Sequence, residues 1–183
     1  MKSFTHVNGL IQEMGRREFV PKLGAEFGVW RGSFSMKMLD HFSGLTLLLV
    51  DPWELANDGG GMTNGSPDRS KQMKKLMLQN TEKFIGRCVV FQMFSVQAAK
   101  MVADRLLDFV FIDARHTYKN VLEDIRVWVP KVRKGGVISG HDYGGNFTGV
   151  QRAVNQYVEE TGCELKLLPG KVWMFMKESS KDC

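Results

Sequence analysis

Short apolar runs alternate with amphipathic segments along most of the chain. Ala25–Val29 is apolar apart from Glu26, and Thr46–Val50 apart from Thr46; Val89–Met93 and Phe109–Ile112 are similar, and Val137–Ser139 follows the turn pair Gly135-Gly136. Runs of this length and continuity read as strands buried on both faces, the pattern of a parallel sheet covered by helices. Between them Ser35–His41, Arg69–Phe84, Val96–Leu106, Tyr118–Val129 and Val150–Thr161 carry apolar residues at three- and four-residue spacing, which predicts helices. In Tyr118–Val129 the buried face is read as Val121, Ile125 and Trp128, with Glu123, Asp124 and Arg126 turned to solvent. Glu164–Leu168 and Val172–Met176 flank Pro169-Gly170 and predict a final antiparallel hairpin. Five βα repeats closed by a hairpin make an α/β, doubly wound fold.

In such sheets ligands bind beyond the carboxyl ends of the strands, so the residues at those ends carry the chemistry. The first strand leads into Gly28-Val29-Trp30-Arg31-Gly32, where two glycines permit a tight turn and a close backbone approach. The second ends at Asp51, a carboxylate suited to the two hydroxyls of a ribose and close to the expected distance of about 20 residues from the glycine turn. The turn reads G-x-x-x-G, with Trp30 and Arg31 where a dinucleotide site needs its second glycine, so a nucleoside without a pyrophosphate is favoured. Of the tryptophans, Trp30 and Trp53 are the better candidates for ligand contact, because both follow strand ends.

The fourth run stops abruptly at Asp113, with His116 three positions on, and the fifth is followed by His141-Asp142. Two strand ends delivering acid and imidazole groups to one edge make a site for proton transfer or metal binding. Plainer roles stand beside this: Asp113 could cap the following helix, His116 could be an exposed first-turn residue, and His141 could hydrogen-bond the loop after Gly140.

Length and composition narrow the class. The 183 residues suit one domain over 1–183, and 43% hydrophobic with 25% charged residues is ordinary for a globular protein. The net charge of +5 comes from scattered lysines and arginines, which reads as a solvated basic surface and does not favour nucleic acid as a partner. Cys88, Cys163 and Cys183 lack metal-ligand spacing and cannot all pair with one another, which favours a reducing compartment. With neither a signal region nor an apolar run near membrane length, the expectation is a cytoplasmic protein. Ala56–Asp68, rich in Gly, Asn and Ser, is the candidate flexible insert.

Four sequence words carry a resemblance. They are Ala25-Glu26-Phe27-Gly28-Val29-Trp30-Arg31-Gly32-Ser33-Phe34-Ser35, Val50-Asp51-Pro52-Trp53, Phe111-Ile112-Asp113-Ala114-Arg115-His116-Thr117-Tyr118, and Pro130 through Tyr143, which contains Gly140-His141-Asp142. In this order they resemble the class I methyltransferases that use S-adenosylmethionine (SAM), most closely the macrocin and rhamnosyl O-methyltransferase-like small enzymes of methyltransferase domain family 24 type. The resemblance implies a Rossmann-like, mostly parallel seven-stranded sheet. It places Glu26, Gly28 and Gly32 along the methionine half of SAM, Asp51 on the ribose, and Met93, Phe94 and Ser95 around the adenine. Asp113 falls where relatives place a magnesium ligand at the cofactor's edge, Asp142 matches a second metal carboxylate, and His116 a general base.

One departure stands out: relatives of the macrocin type carry adjacent acids where this chain has His141-Asp142. Imidazole is a poor ligand for magnesium and a good one for manganese, iron or zinc, so Mg²⁺, Mn²⁺ and a metal-free site all stay open. The expected activity is methyl transfer from SAM to a hydroxyl of a small molecule, sugars included. The alternatives are a metal-independent methyltransferase acting on nitrogen or nucleic acid, and a non-catalytic nucleoside-binding module. The segment before Glu26 leaves room only for a small lid, so Ala56–Asp68 or a second subunit of a homodimer would close the site.

Overall fold

A computed structural model describes residues 5–53 and 67–178. Its strands are β1 (Leu23–Phe27), β2 (Thr46–Val50), β3 (Cys88–Phe91), β4 (Leu107–Ile112), β5 (Val132–Gly140), β6 (Lys166–Leu168) and β7 (Val172–Met176), and its helices α1 (Thr5–Arg16), α2 (Ser33–His41), α3 (Pro67–Thr81), α4 (Ser95–Ala99), α5 (Tyr118–Trp128) and α6 (Thr148–Thr161). The strands form one seven-stranded sheet in the order β3-β2-β1-β4-β5-β7-β6. β1 to β5 pair in parallel, and β7 runs antiparallel to both β5 and β6. The expected Rossmann-like architecture is therefore present, with β7 inserted between its hairpin partner and the parallel strands.

Alternation along the central strands separates two cores, because successive side chains of a strand face opposite ways. Phe109 and Phe111 of β4 join Leu47, Leu49, Met38 and Met77 beneath α1, α2 and α3, while Val110 and Ile112 join Phe27, Ile125, Trp128 and Val154 beneath α4, α5 and α6. The chain's order reverses between β1 and β4, whose ends pair as Phe27 with Ile112. This is the switch point where an open α/β sheet leaves a crevice for ligand.

The structure departs from the expected elements at four places. The N-terminal segment is the helix α1, and Val7, Leu10 and Met14 on it are fully buried. It packs on α2, β6 and β7 as part of a core layer; the spacing Val7, Leu10, Ile11, Met14 was the signal that marks it. The expected Val96–Leu106 helix stops at Ala99, and Arg105 adopts a left-handed φ of 59° with its amide donated to Pro130 O. Gly135-Gly136 is no turn but a bulge inside β5, where the register against β4 shifts and Gly135 has φ 71°. Asp124 is buried at 4% exposure, since its position three residues after Val121 falls on the apolar stripe of α5. Ala56–Asp68 lies outside the described residues except for Pro67 and Asp68, which open α3.

Candidate active site

The turns after β1 and β2 are clasped together by one carboxylate. Asp51 Oδ2 accepts the amide of Trp30 at 2.8 Å, Oδ1 accepts the amide of Trp53 at 2.7 Å, and Trp53 Nε1 donates to Trp30 O at 2.8 Å. Trp30 and Trp53 have left-handed φ values of 51° and 44°, uncommon for residues with a side chain, and these bonds hold both in place. Burial pushes the Asp51 carboxyl up, against the lowering effect of the backbone amides it accepts. The backbone amide of Val29 also bonds the carboxylate; with about four acceptor directions on its two oxygens, it is fixed in orientation and keeps room for a hydroxyl. Trp30 Nε1 is buried without a hydrogen-bond partner, but so are the indole nitrogens of the core residues Trp128 and Trp173, and this alone marks no ligand contact.

Other residues expected around SAM take more structural positions. A Cβ on Gly28, at φ 82°, would stand 2.0 Å from the backbone oxygen of Asp113, so this glycine lets the ends of β1 and β4 pass each other. Gly32, at φ 74°, faces Met77 and Thr81 of α3. Glu26 is 3% exposed and accepts a hydrogen bond from Ser35 Oγ on α2. Burial, reinforced by the charges of Asp113 and Asp51, holds its carboxyl well above the usual range. Glu26 therefore fastens α2 beneath the turn. Phe94 is 38% exposed, with the guanidinium of Arg115 lying 5.2 Å over its ring. Ser95 Oγ donates to the buried Asp124, a partner the sequence reading missed.

Asp113, His116, His141 and Asp142 converge at the ends of β4 and β5. His116 Nε2 lies 3.0 Å from Asp142 Oδ2 and 3.6 Å from Asp113 Oδ1; His141 Nδ1 lies 3.3 Å from Asp142 Oδ1 and 3.8 Å from Asp113 Oδ1. The cap of α5 is Thr117, whose side chain accepts the amide of Asn120, so Asp113 is left for the cluster. His116 is 14% exposed along its side chain and packs its ring on Phe147, with centroids 4.4 Å apart. Phe147, one residue before α6, was not legible as part of the site.

Burial would lower the His116 pKa, but the two carboxylates outweigh it and raise it to about 9. Asp142 is held well below the ordinary carboxylate range: burial would raise it, and His116 and His141 together prevail. His141 is also raised, by Asp142 and Asp113 against burial, and its ring is hydrogen-bonded to the backbone at Gly170. Despite these attractions, Nε2 of His116 is buried without a well-directed hydrogen bond.

Asp113, His141 and Asp142 each offer a ligand atom, all within 4.8 Å of one another, a spacing that fits a divalent cation. An orphaned imidazole nitrogen beside them fits it as well.

Residues 25–143 match the model of a family described as methyltransferase domain. The chain belongs to that family, and is a SAM-dependent methyltransferase. No curated protein sequence matches it. This methyltransferase is similar in fold to a Staphylococcus aureus protein described as a caffeoyl-CoA O-methyltransferase (TM-score 0.69, 14% identity, covering 97% of this chain and 85% of that one). It is also similar to the O-methyltransferase from Bacillus cereus in complex with SAH (TM-score 0.67, 16% identity, 97% and 83% covered). A third is the O-methyltransferase TomG from Streptomyces achromogenes in complex with SAM (TM-score 0.64, 12% identity, 94% and 80% covered). In this methyltransferase no helix among the described residues is long and apolar enough to cross a membrane.

Proposed function

We infer that the protein transfers the methyl group of SAM to a hydroxyl of a small molecule, sugars included, with a divalent cation assisting. The observation that carries this reading is the placement of His116 Nε2 between Asp142 and Asp113, at the sheet edge that also presents Asp51. Asp51 would take the ribose hydroxyls, with Trp30 and the Gly28–Gly32 turn beside the methionine half and Phe94 and Ser95 beside the adenine. Glu26 acts from beneath, through α2.

The sulfonium of SAM supplies an already activated methyl, so the chain's share is to hold donor and acceptor in line, which can remove roughly 7–11 kcal/mol of a barrier. The acceptor hydroxyl must also lose a proton, and His116, beside two carboxylates at that edge, would take it. With a pKa of about 9 the imidazole already carries a proton at neutral pH and cannot act as a base. It becomes one only when the charges of Asp113 and Asp142 are otherwise neutralised. Asp113, Asp142 and His141 would hold a divalent cation there, which would neutralise them and acidify a bound hydroxyl. Proton transfer to a placed base typically contributes about 10²–10⁴-fold. The convergence of ligand atoms from Asp113, His141 and Asp142 within 4.8 Å supports the metal-assisted form.

The test is calorimetric titration of SAM and SAH, then assay of labelled methyl transfer to a panel of hydroxyl acceptors, with Mg²⁺, with Mn²⁺ and with a chelator. SAM binding followed by metal-dependent turnover is expected. Absence of SAM binding under every condition overturns the reading, and turnover indifferent to the chelator removes the metal from it.

A further inference from the structure

We propose that His141 is a metal ligand and that it turns this site toward a divalent first-row transition ion and away from magnesium. The inference rests on the metal-assisted reading above and adds the ion's chemistry to it. Magnesium demands oxygen donors in near-octahedral array, whereas imidazole suits manganese, iron and zinc.

Two features of the fold aim His141 at the acids, and a third sets another nitrogen beside them. In a regular strand His141 and Asp142 would point to opposite faces. Asp142 instead has φ 61°, a left-handed conformation costly for a residue with a Cβ and one that clusters at functional sites. It brings the two adjacent side chains together, with His141 Nδ1 3.3 Å from Asp142 Oδ1. Second, the hydrogen bond between the His141 ring and the backbone at Gly170 is the kind of outer contact that fixes ring orientation in metal-binding histidines. Third, His116 Nε2, buried and without a hydrogen-bond partner, stands 3.0 Å from Asp142 and 3.6 Å from Asp113. That places a second nitrogen against the same two carboxylates. The donor set is thus two carboxylates and one imidazole, with another imidazole alongside, all drawn from the ends of β4 and β5.

Most sites bind manganese more tightly than magnesium, so the discriminating quantity is how the ratio changes when His141 becomes an acid. SAH-loaded, metal-stripped protein is titrated calorimetrically with MnCl₂ and with MgCl₂, for the wild type, His141→Asp and His141→Asn, with thermal unfolding of each variant as a check on folding. The ratio of the two affinities is expected to fall by roughly tenfold or more in His141→Asp, with magnesium binding gained. In His141→Asn, manganese binding weakens without a gain for magnesium. Cobalt(II) loaded into the wild type should show a visible spectrum that shifts in both variants. An unchanged ratio in His141→Asp overturns the proposal, as does SAH binding with no manganese binding at all. Failure to bind SAH would strike the methyltransferase reading itself.

Discussion

Ser95 Oγ, at the start of α4, donates to Asp124 Oδ1 in the middle of α5, and Asp124 is 4% exposed. One hydroxyl therefore joins the segment expected to face the adenine to the helix that follows the Asp113–His116 loop. Burial pushes the Asp124 carboxyl up to about 7; the Ser95 hydrogen bond lowers it, the neighbouring Glu123 raises it and Arg115 lowers it.

A raised acid stabilises the fold while it is protonated. That contribution is fully present below the unfolded value near 3.8 and is lost as pH rises through about 7. Asp124→Asn should remove this slope, on the order of 4 kcal/mol at full extent, and make the variant more stable than wild type at pH 8. Urea unfolding of both proteins at pH 5 and pH 8 measures the difference. A parallel pH dependence in the two would contradict it.

His116→Gln approximates the side-chain volume against Phe147 and removes the basic nitrogen. Turnover is expected to fall by about 10²–10⁴-fold, with SAH affinity unchanged. Steady-state rates beside calorimetry separate the two; a loss confined to SAH affinity would move His116 out of the acceptor side.

Asp51→Ala leaves the amides of Trp30 and Trp53 without their acceptor. Hydrogen bonds to a charged group contribute about 1.5–3 kcal/mol each, and both left-handed tryptophan backbones would be released. SAH affinity should drop by more than about tenfold, with a lower thermal midpoint. Retained affinity would mean that ribose recognition lies elsewhere.

Gly28→Ala forces a Cβ to within 2.0 Å of Asp113 O at a φ of 82°. The ends of β1 and β4 must part, which should destabilise the protein by several kcal/mol and displace Asp113. Manganese affinity measured on whatever fraction folds should fall together with stability. A fully stable, metal-binding variant would show that the close approach is dispensable.

The order of strands and helices, the hairpin and the ligand edge followed from local pattern. The period of apolar residues reports which side of each element is buried, and five βα units have few ways to wind. For the same reason the candidate acids and imidazoles were legible from their places after Val50, Ile112 and Gly140. Periodicity could also have placed α1 and the buried Asp124, since both sit on an apolar stripe. What the sequence could not supply were relationships across the sheet. Gly28 is small because β4 crosses it, and Asp51 is engaged by two tryptophan amides held in left-handed turns. His116 meets Asp142 because β5 lies beside β4, and His141 joins them through one backbone angle at Asp142. Residues far apart in the chain converge only through strand order and backbone torsion. Those are set by packing over the whole domain, so only the tertiary structure decided the site's geometry.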